Sequence, residues 1–182
     1  MNNRKVYISG EIVPEVDAKI SIFDSAVLLG DTVTESTRTF NFKPFKLDEH
    51  LERLYKSFKL TRIDPQMTIE EMKKVSLELL EINKDNYKAN EDCWLVHNIS
   101  RGHSITGGNP ALQVSKPTVM IYTQPMNLVS WAPFYSKGCH AVTPPTRMVP
   151  SQSLDARIKN RSRLFYTLAE IEAKLVDPDA QS

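Results

Sequence analysis

Two consecutive runs of helical periodicity, enclosed on both sides by strand-like segments, constrain this chain most. In the first, Leu47, Leu51, Leu54 and Phe58 recur at three- and four-residue steps and form one apolar stripe. In the second, Ile69, Met72, Val75, Leu79 and Ile82 do the same. Asp48 is placed to cap the first helix, and Glu49/Arg53 and Glu52/Lys56 stand as acid-before-base pairs one turn apart. Asp64-Pro65 ends it, and Thr68-Ile69-Glu70-Glu71 opens the second helix as a capping box.

Before these helices the pattern is that of strands. Val6 to Val13 reads as a tight hairpin about Ser9-Gly10, Lys19 to Ile22 alternates, and Thr32 to Phe40 is rich in β-favouring threonine and valine. Asn41 to Pro44 turns the chain and Phe45-Lys46-Leu47 reads as the returning strand. After a polar connection from Asn83 to Asp92, strands resume at Cys93–Arg101 and Pro117–Tyr122, separated by a loop carrying Gly102, Gly107, Gly108, Asn109 and Pro110. Several strands, two helices and more strands in that order predict an α+β architecture.

The pattern divides the chain into an N-terminal domain over residues 1–123, a linker over 124–137 containing Pro125 and Pro133, and a second domain beginning at 138. The last part offers a short strand from Gly138 to Thr143, a proline-stiffened approach, and one helix on Leu164, Leu168, Ile171 and Leu175. One strand and one helix bury too little to form a core, so the second domain is expected to be incomplete.

Charge and cysteine usage narrow the function classes. A net charge of +1 gives no bulk basic field for nucleic acid. No apolar run is long enough to span a bilayer. The two cysteines, Cys93 and Cys139, fit neither a disulfide framework nor a metal-ligand spacing, which favours a reducing, cytoplasmic setting.

Lys159 stands among Arg157, Arg161 and Arg163. Cationic neighbours disfavour a charged amine and free it as a nucleophile, which is what a lysine that condenses with a carbonyl requires.

Three blocks carry a family resemblance. Ile20 to Asp24 followed by Leu29 to Phe40, then Pro44 to Ser57, then Arg157-Ile158-Lys159-Asn160 with Leu164, Leu168, Ala169, Glu172 and Ala173 resemble the class IV (fold-type IV) aminotransferases. These enzymes use pyridoxal 5′-phosphate and include the branched-chain and D-amino-acid aminotransferases. The resemblance implies a homodimer that exchanges an amino group between an amino acid or amine and a 2-oxo acid. It implies that Lys159 is the Schiff-base lysine, that Arg53 holds the cofactor phosphate, and that Glu35 and Arg38 line or support the substrate pocket; Thr34, where many relatives carry an aromatic, and Arg101, before the glycine loop, are further candidates for the pocket. Trp94, Trp131, Phe134 and Tyr135 are candidate interface anchors.

The chain departs from the family at the substrate carboxylate. Leu95 and Val96 are apolar where branched-chain enzymes carry an arginine, and Ser104 to Gly108 lacks the arginine and histidine of the D-amino-acid enzymes. The alternatives are an aminodeoxychorismate-lyase-like eliminase using the same lysine, or a non-catalytic dimerisation domain. The family's partner for the pyridine nitrogen and its second set of phosphate donors follow this helix. A chain ending at Ser182 is therefore expected to bind cofactor weakly and to turn over negligibly.

Overall fold

The computed structural model describes residues 3–88, 91–103 and 116–181, which form two compact units. The first comprises residues up to Met126 together with Arg157–Arg161. Its strands are β1 (Lys5–Ile8), β2 (Glu11–Pro14), β3 (Thr32–Phe40), β4 (Lys43–Pro44), β5 (Cys93–Ser100) and β6 (Thr118–Pro125). They form one sheet in the order β2-β1-β6-β5-β3-β4, with every neighbouring pair antiparallel. A four-residue helix α1 (Ser25–Leu28) precedes β3, and the long helices α2 (Leu47–Thr61) and α3 (Ile69–Asn83) lie between β4 and β5.

Both long helices cover one face of the sheet. In the ladder Glu35 is opposite His97, His97 opposite Ile121, and Ile121 opposite Tyr7, so these four share that face. Around them pack Val33, Leu95, Ile99 and Val119 from the strands, Leu51, Leu54 and Phe58 from α2, and Met72, Leu79 and Leu80 from α3. The capping box forms as read: the Thr68 hydroxyl accepts from Glu71 N at 3.2 Å, and the Glu71 carboxylate accepts from Thr68 N at 2.7 Å.

Several local expectations are corrected. Lys19 to Ile22 is not a strand, because no neighbour among the described residues pairs with it. The chain instead bends into buried Asp24, whose carboxylate accepts from Ser100 Oγ, Thr118 Oγ1 and Ala26 N. The returning strand is Lys43–Pro44 rather than Phe45–Leu47. Lys46 sits in the left-handed region (φ 54°) and turns the chain so that α2 starts at Leu47, one residue before the expected cap. Asp48 therefore belongs to the first turn of α2, where its charge complements the helix dipole. The stripe of α3 ends differently. Ile82 is exposed, whereas Asn83 is buried and uses its amide to accept from Lys5 N at 2.7 Å and donate to Lys5 O at 2.9 Å.

Beyond β4, the β3 edge is not left bare. Thr34 N donates to Lys159 O at 2.8 Å, Arg161 N donates to Thr32 O at 2.9 Å, and Val33 bridges Asn160. Residues 159–161 thus act as a short extra strand, which satisfies edge groups that would otherwise face water. This is why Arg157–Arg161 belongs to the first unit although its flanking segments do not.

The second unit holds Asn127–Ala156 and Ser162–Ser182. It contains two short helices, α4 (Leu128–Trp131) and α5 (Phe134–Lys137), and one longer helix, α6 (Leu164–Val176). The expected strand at Gly138–Thr143 does not form; among the described residues His140 alone of this stretch makes a bridge, to Ala180, and no extended neighbour pairs with the rest. Glu172 on α6 accepts from Thr146 N at 3.0 Å and from its hydroxyl at 2.8 Å. α6 buries none of its residues, and Leu164, Ile171 and Leu175 are exposed.

Candidate active site

A dense polar cluster in the first unit is built around one carboxylate. Glu35 lies mid-β3 on the helix-covered face and its side chain is 0% exposed. Its Oε1 accepts from Lys159 Nζ at 2.6 Å, from Arg53 Nη2 at 2.7 Å and from Ser36 N at 2.8 Å, and lies 3.1 Å from His50 Nδ1. Its Oε2 accepts from Arg53 Nε at 2.6 Å, making the arginine contact bidentate.

The elements that place these groups follow from the sequence. His50, Arg53 and Ser57 are spaced by three and four residues, so α2 presents them along one side. Ser57 is buried and links the other participants. Its hydroxyl donates to Arg53 O at 3.2 Å and accepts from Lys159 N at 3.3 Å. Lys159 is therefore held by its backbone at two points, β3 and α2, and its amine reaches Glu35 while remaining 28% exposed.

The electrostatics favour an ionised carboxylate. Burial alone would push the Glu35 carboxyl up, but the hydrogen bonds from Arg53, then Lys159, then Ser36 N outweigh it and hold it down at about 2. The Arg53 guanidinium, paired with Glu35, is shifted up. Opposite Glu35 in the ladder, His97 is wholly buried. Burial pushes it down to about 4, so the imidazole is neutral. His97 Nε2 lies 2.8 Å from Ser76 Oγ, which donates to Met72 O, while Nδ1 is buried with no hydrogen-bond partner among the described residues.

Of the residues singled out from the sequence, Lys159, Arg53 and Glu35 meet, and Thr34 joins them through its backbone; its hydroxyl donates to His97 O at 3.0 Å. Arg38 and Arg101 lie elsewhere. The Arg38 guanidinium stacks 3.8 Å from the Phe40 ring centroid. Arg101 pairs with Asp31 at 2.7 Å and donates to the carbonyls of Thr61 and Arg62 at 3.0 and 2.9 Å, closing the C-terminus of α2. The stretch Ser104–Gly108, with Asn109 and Pro110, lies outside the described residues.

Two sequence-based pairings are corrected. The partner of Arg53 is Glu35, not Glu49 one turn back; Glu49 pairs with Lys46. The immediate partner of the Lys159 amine is a carboxylate rather than the arginines around it in the sequence. His50, Ser57 and His97 do not stand out as site residues in the sequence. The spacing of His50 and Ser57 from Arg53 is the one available signal for the first two.

The group has the chemistry to hold a phosphorylated aldehyde. Lys159 supplies a primary amine for a carbonyl carbon. Arg53, 51% exposed, spends Nε and Nη2 on Glu35 and leaves Nη1 uncommitted among the described residues. Two cations share one carboxylate, so Lys159, Arg53 and Glu35 together carry a surplus positive charge suited to an anion.

Residues 32–180 match the family described as amino-transferase class IV. A putative branched-chain-amino-acid aminotransferase of Methanocaldococcus jannaschii is 35% identical over 176 residues, covering 96% of this chain and 57% of that protein. Branched-chain-amino-acid aminotransferase-like protein 2 of Arabidopsis thaliana is 33% identical over 177 residues, covering 95% of this chain and 30% of that protein. Among solved structures, the T.th. branched-chain amino acid aminotransferase with pyridoxamine 5′-phosphate superposes with a TM-score of 0.81 at 23% identity, covering 97% of this chain and 57% of the other. The branched-chain aminotransferase of Thermoproteus uzoniensis with norvaline gives 0.75 at 24% identity, covering 96% and 57%. At those identities the likeness is one of fold. The chain thus spans little more than half the length of the first relative and of these structures.

Proposed function

The chain belongs to the class IV amino-transferases, and on that premise we propose that Lys159 and Arg53 are the two ends of a pyridoxal 5′-phosphate site serving amino-group exchange between an amino acid or amine and a 2-oxo acid. One observation carries the reading. An amine and a guanidinium from distant parts of the sequence converge on a single buried carboxylate and leave a surplus positive charge beside a half-exposed arginine.

When bound, the cofactor supplies an electron sink for charge developing at the substrate Cα. The remaining work falls to the chain. Arg53 would hold the phosphate as a permanently charged guanidinium, with Nη1 left over once Nε and Nη2 are aimed by Glu35. Lys159 would hold the cofactor through Nζ, and the same amine would serve to move a proton at the substrate Cα. Ser57 and Thr34 fix the Lys159 backbone, so the amine is positioned before any ligand arrives. Neutral, buried His97 adds no competing charge beneath Glu35.

The wider assignments rest on the same family. We read the whole protein as a homodimer, with Trp131 and Tyr135, both exposed, among its interface anchors. Residues 124–137 are read as an interdomain linker and those from 138 onward as the start of the cofactor-binding domain. The cytoplasmic reading rests on two unpaired cysteines, Cys93 and Cys139.

The reading is tested by comparing pyridoxal 5′-phosphate with pyridoxal, which lacks the phosphate. The chain is expected to prefer the phosphorylated form. Arg53→Leu should erase about 1.5–3 kcal/mol of that preference, the worth of a hydrogen bond to a charged group. An unchanged preference removes Arg53 from the site.

A further inference from the structure

Glu35 is buried completely, so its charge has to be compensated within the fold. The compensation comes from two elements that the backbone fixes independently. α2 supplies Arg53, and the edge segment at β3 supplies Lys159. One carboxylate serves both cations, and four of its five polar contacts, Lys159 Nζ among them, converge on Oε1. The two cations therefore compete for it. Whatever weakens the hold of one leaves more of the carboxylate to the other.

We infer that Glu35 is a positioning residue of this site: its carboxylate holds the Lys159 amine at hydrogen-bond distance and aims Arg53, so that the readiness of the amine to attack a carbonyl is set by the sharing of Glu35 between the two cations. The inference rests on the reading of Lys159 as the carbonyl-capturing lysine. It assigns Glu35 a control of that lysine rather than a share in lining the pocket. The facing groups are few. His50 lies against the same oxygen from α2, and neutral His97 lies opposite from β5. Ser57 fixes the lysine backbone without contributing charge.

The reporting reaction is capture of pyridoxal. The ammonium must first give up a proton, to Glu35 or to water. The nitrogen lone pair then adds to the aldehyde carbon, the carbonyl oxygen leaves as water, and added cyanoborohydride delivers the hydride that fixes the new carbon–nitrogen bond. Peptide mapping of the 182-residue chain follows the rate at Lys159, with other lysines as internal references. Three chains are compared: the parent, Glu35→Gln and Arg53→Leu.

Removing the carboxylate frees the amine, so Glu35→Gln should capture pyridoxal roughly tenfold faster, the effect of losing an opposite charge at hydrogen-bond distance after partial screening. Arg53→Leu removes the competing guanidinium from Glu35, so capture should be several-fold slower, by the same electrostatic rule. The opposed directions are the signature, since a merely structural role would move both variants the same way. If Glu35→Gln fails to fold, Arg53→Leu still decides by its sign. Capture at Lys159 at equal rates in all three chains, or shifted in one common direction, overturns the inference and leaves the cofactor reading standing. A Glu35→Gln chain in which the freed Lys159 still reacts no faster than the reference lysines overturns both.

Discussion

Glu35→Gln has a second consequence, for stability, whose pH dependence can be worked out from the buried ion pair. The Glu35 carboxyl titrates near its ordinary value in the unfolded chain and at about 2 in the fold. A depressed folded value means that its contribution is complete above about pH 4.5 and is lost as pH falls towards 2. The full shift corresponds to about 3 kcal/mol; allowing for the half-exposed guanidinium of Arg53, about 2–3 kcal/mol is expected. The amide variant is neutral throughout and resembles the protonated parent in shape. At about pH 7 the parent should exceed Glu35→Gln by that amount, and the gap should close between about pH 4.5 and 2. Urea unfolding followed by Trp94 fluorescence, in a Trp131→Phe background, reads the gap at successive pH values. A gap that stays constant across that window would show that Glu35 acts through packing and not through its charge.

Two further outcomes follow from burial. Asn83→Ala strands both backbone groups of Lys5 at the start of β1 and should cost about 1–3 kcal/mol; thermal unfolding and faster amide exchange over Lys5–Ile8 check it. Cys139 is exposed, whereas burial pushes the Cys93 thiol up to about 11. One thiol should react with an aromatic disulfide reagent in the native chain and two in the unfolded one.

The sequence was legible where the decisive interactions are local. The stripes of α2 and α3 and the Thr68 capping box follow from spacing within one or two turns. It was least legible where a local rule competed with a distant partner. The i,i+4 rule paired Arg53 with Glu49, but a fully buried carboxylate from β3 gives a far stronger contact than a solvated neighbour. The charge run around Lys159 spoke of cations because sequence neighbours are visible and sheet neighbours are not. Pairing with the β3 edge brings the lysine to Glu35 instead. Lys19–Ile22 shows the converse, an alternation that pairs with no strand among the described residues. Asn83 reads as the start of a polar connection, and only the fold reveals that its amide holds β1.

The central claim is that the Lys159 amine is the group that takes up the cofactor. It is tested most directly by incubating the chain with pyridoxal 5′-phosphate, reducing with borohydride and locating the label by peptide mapping. A single dominant label on Lys159, absent from Lys159→Ala, is the predicted result. Label spread over surface lysines and unchanged by that substitution would contradict the account.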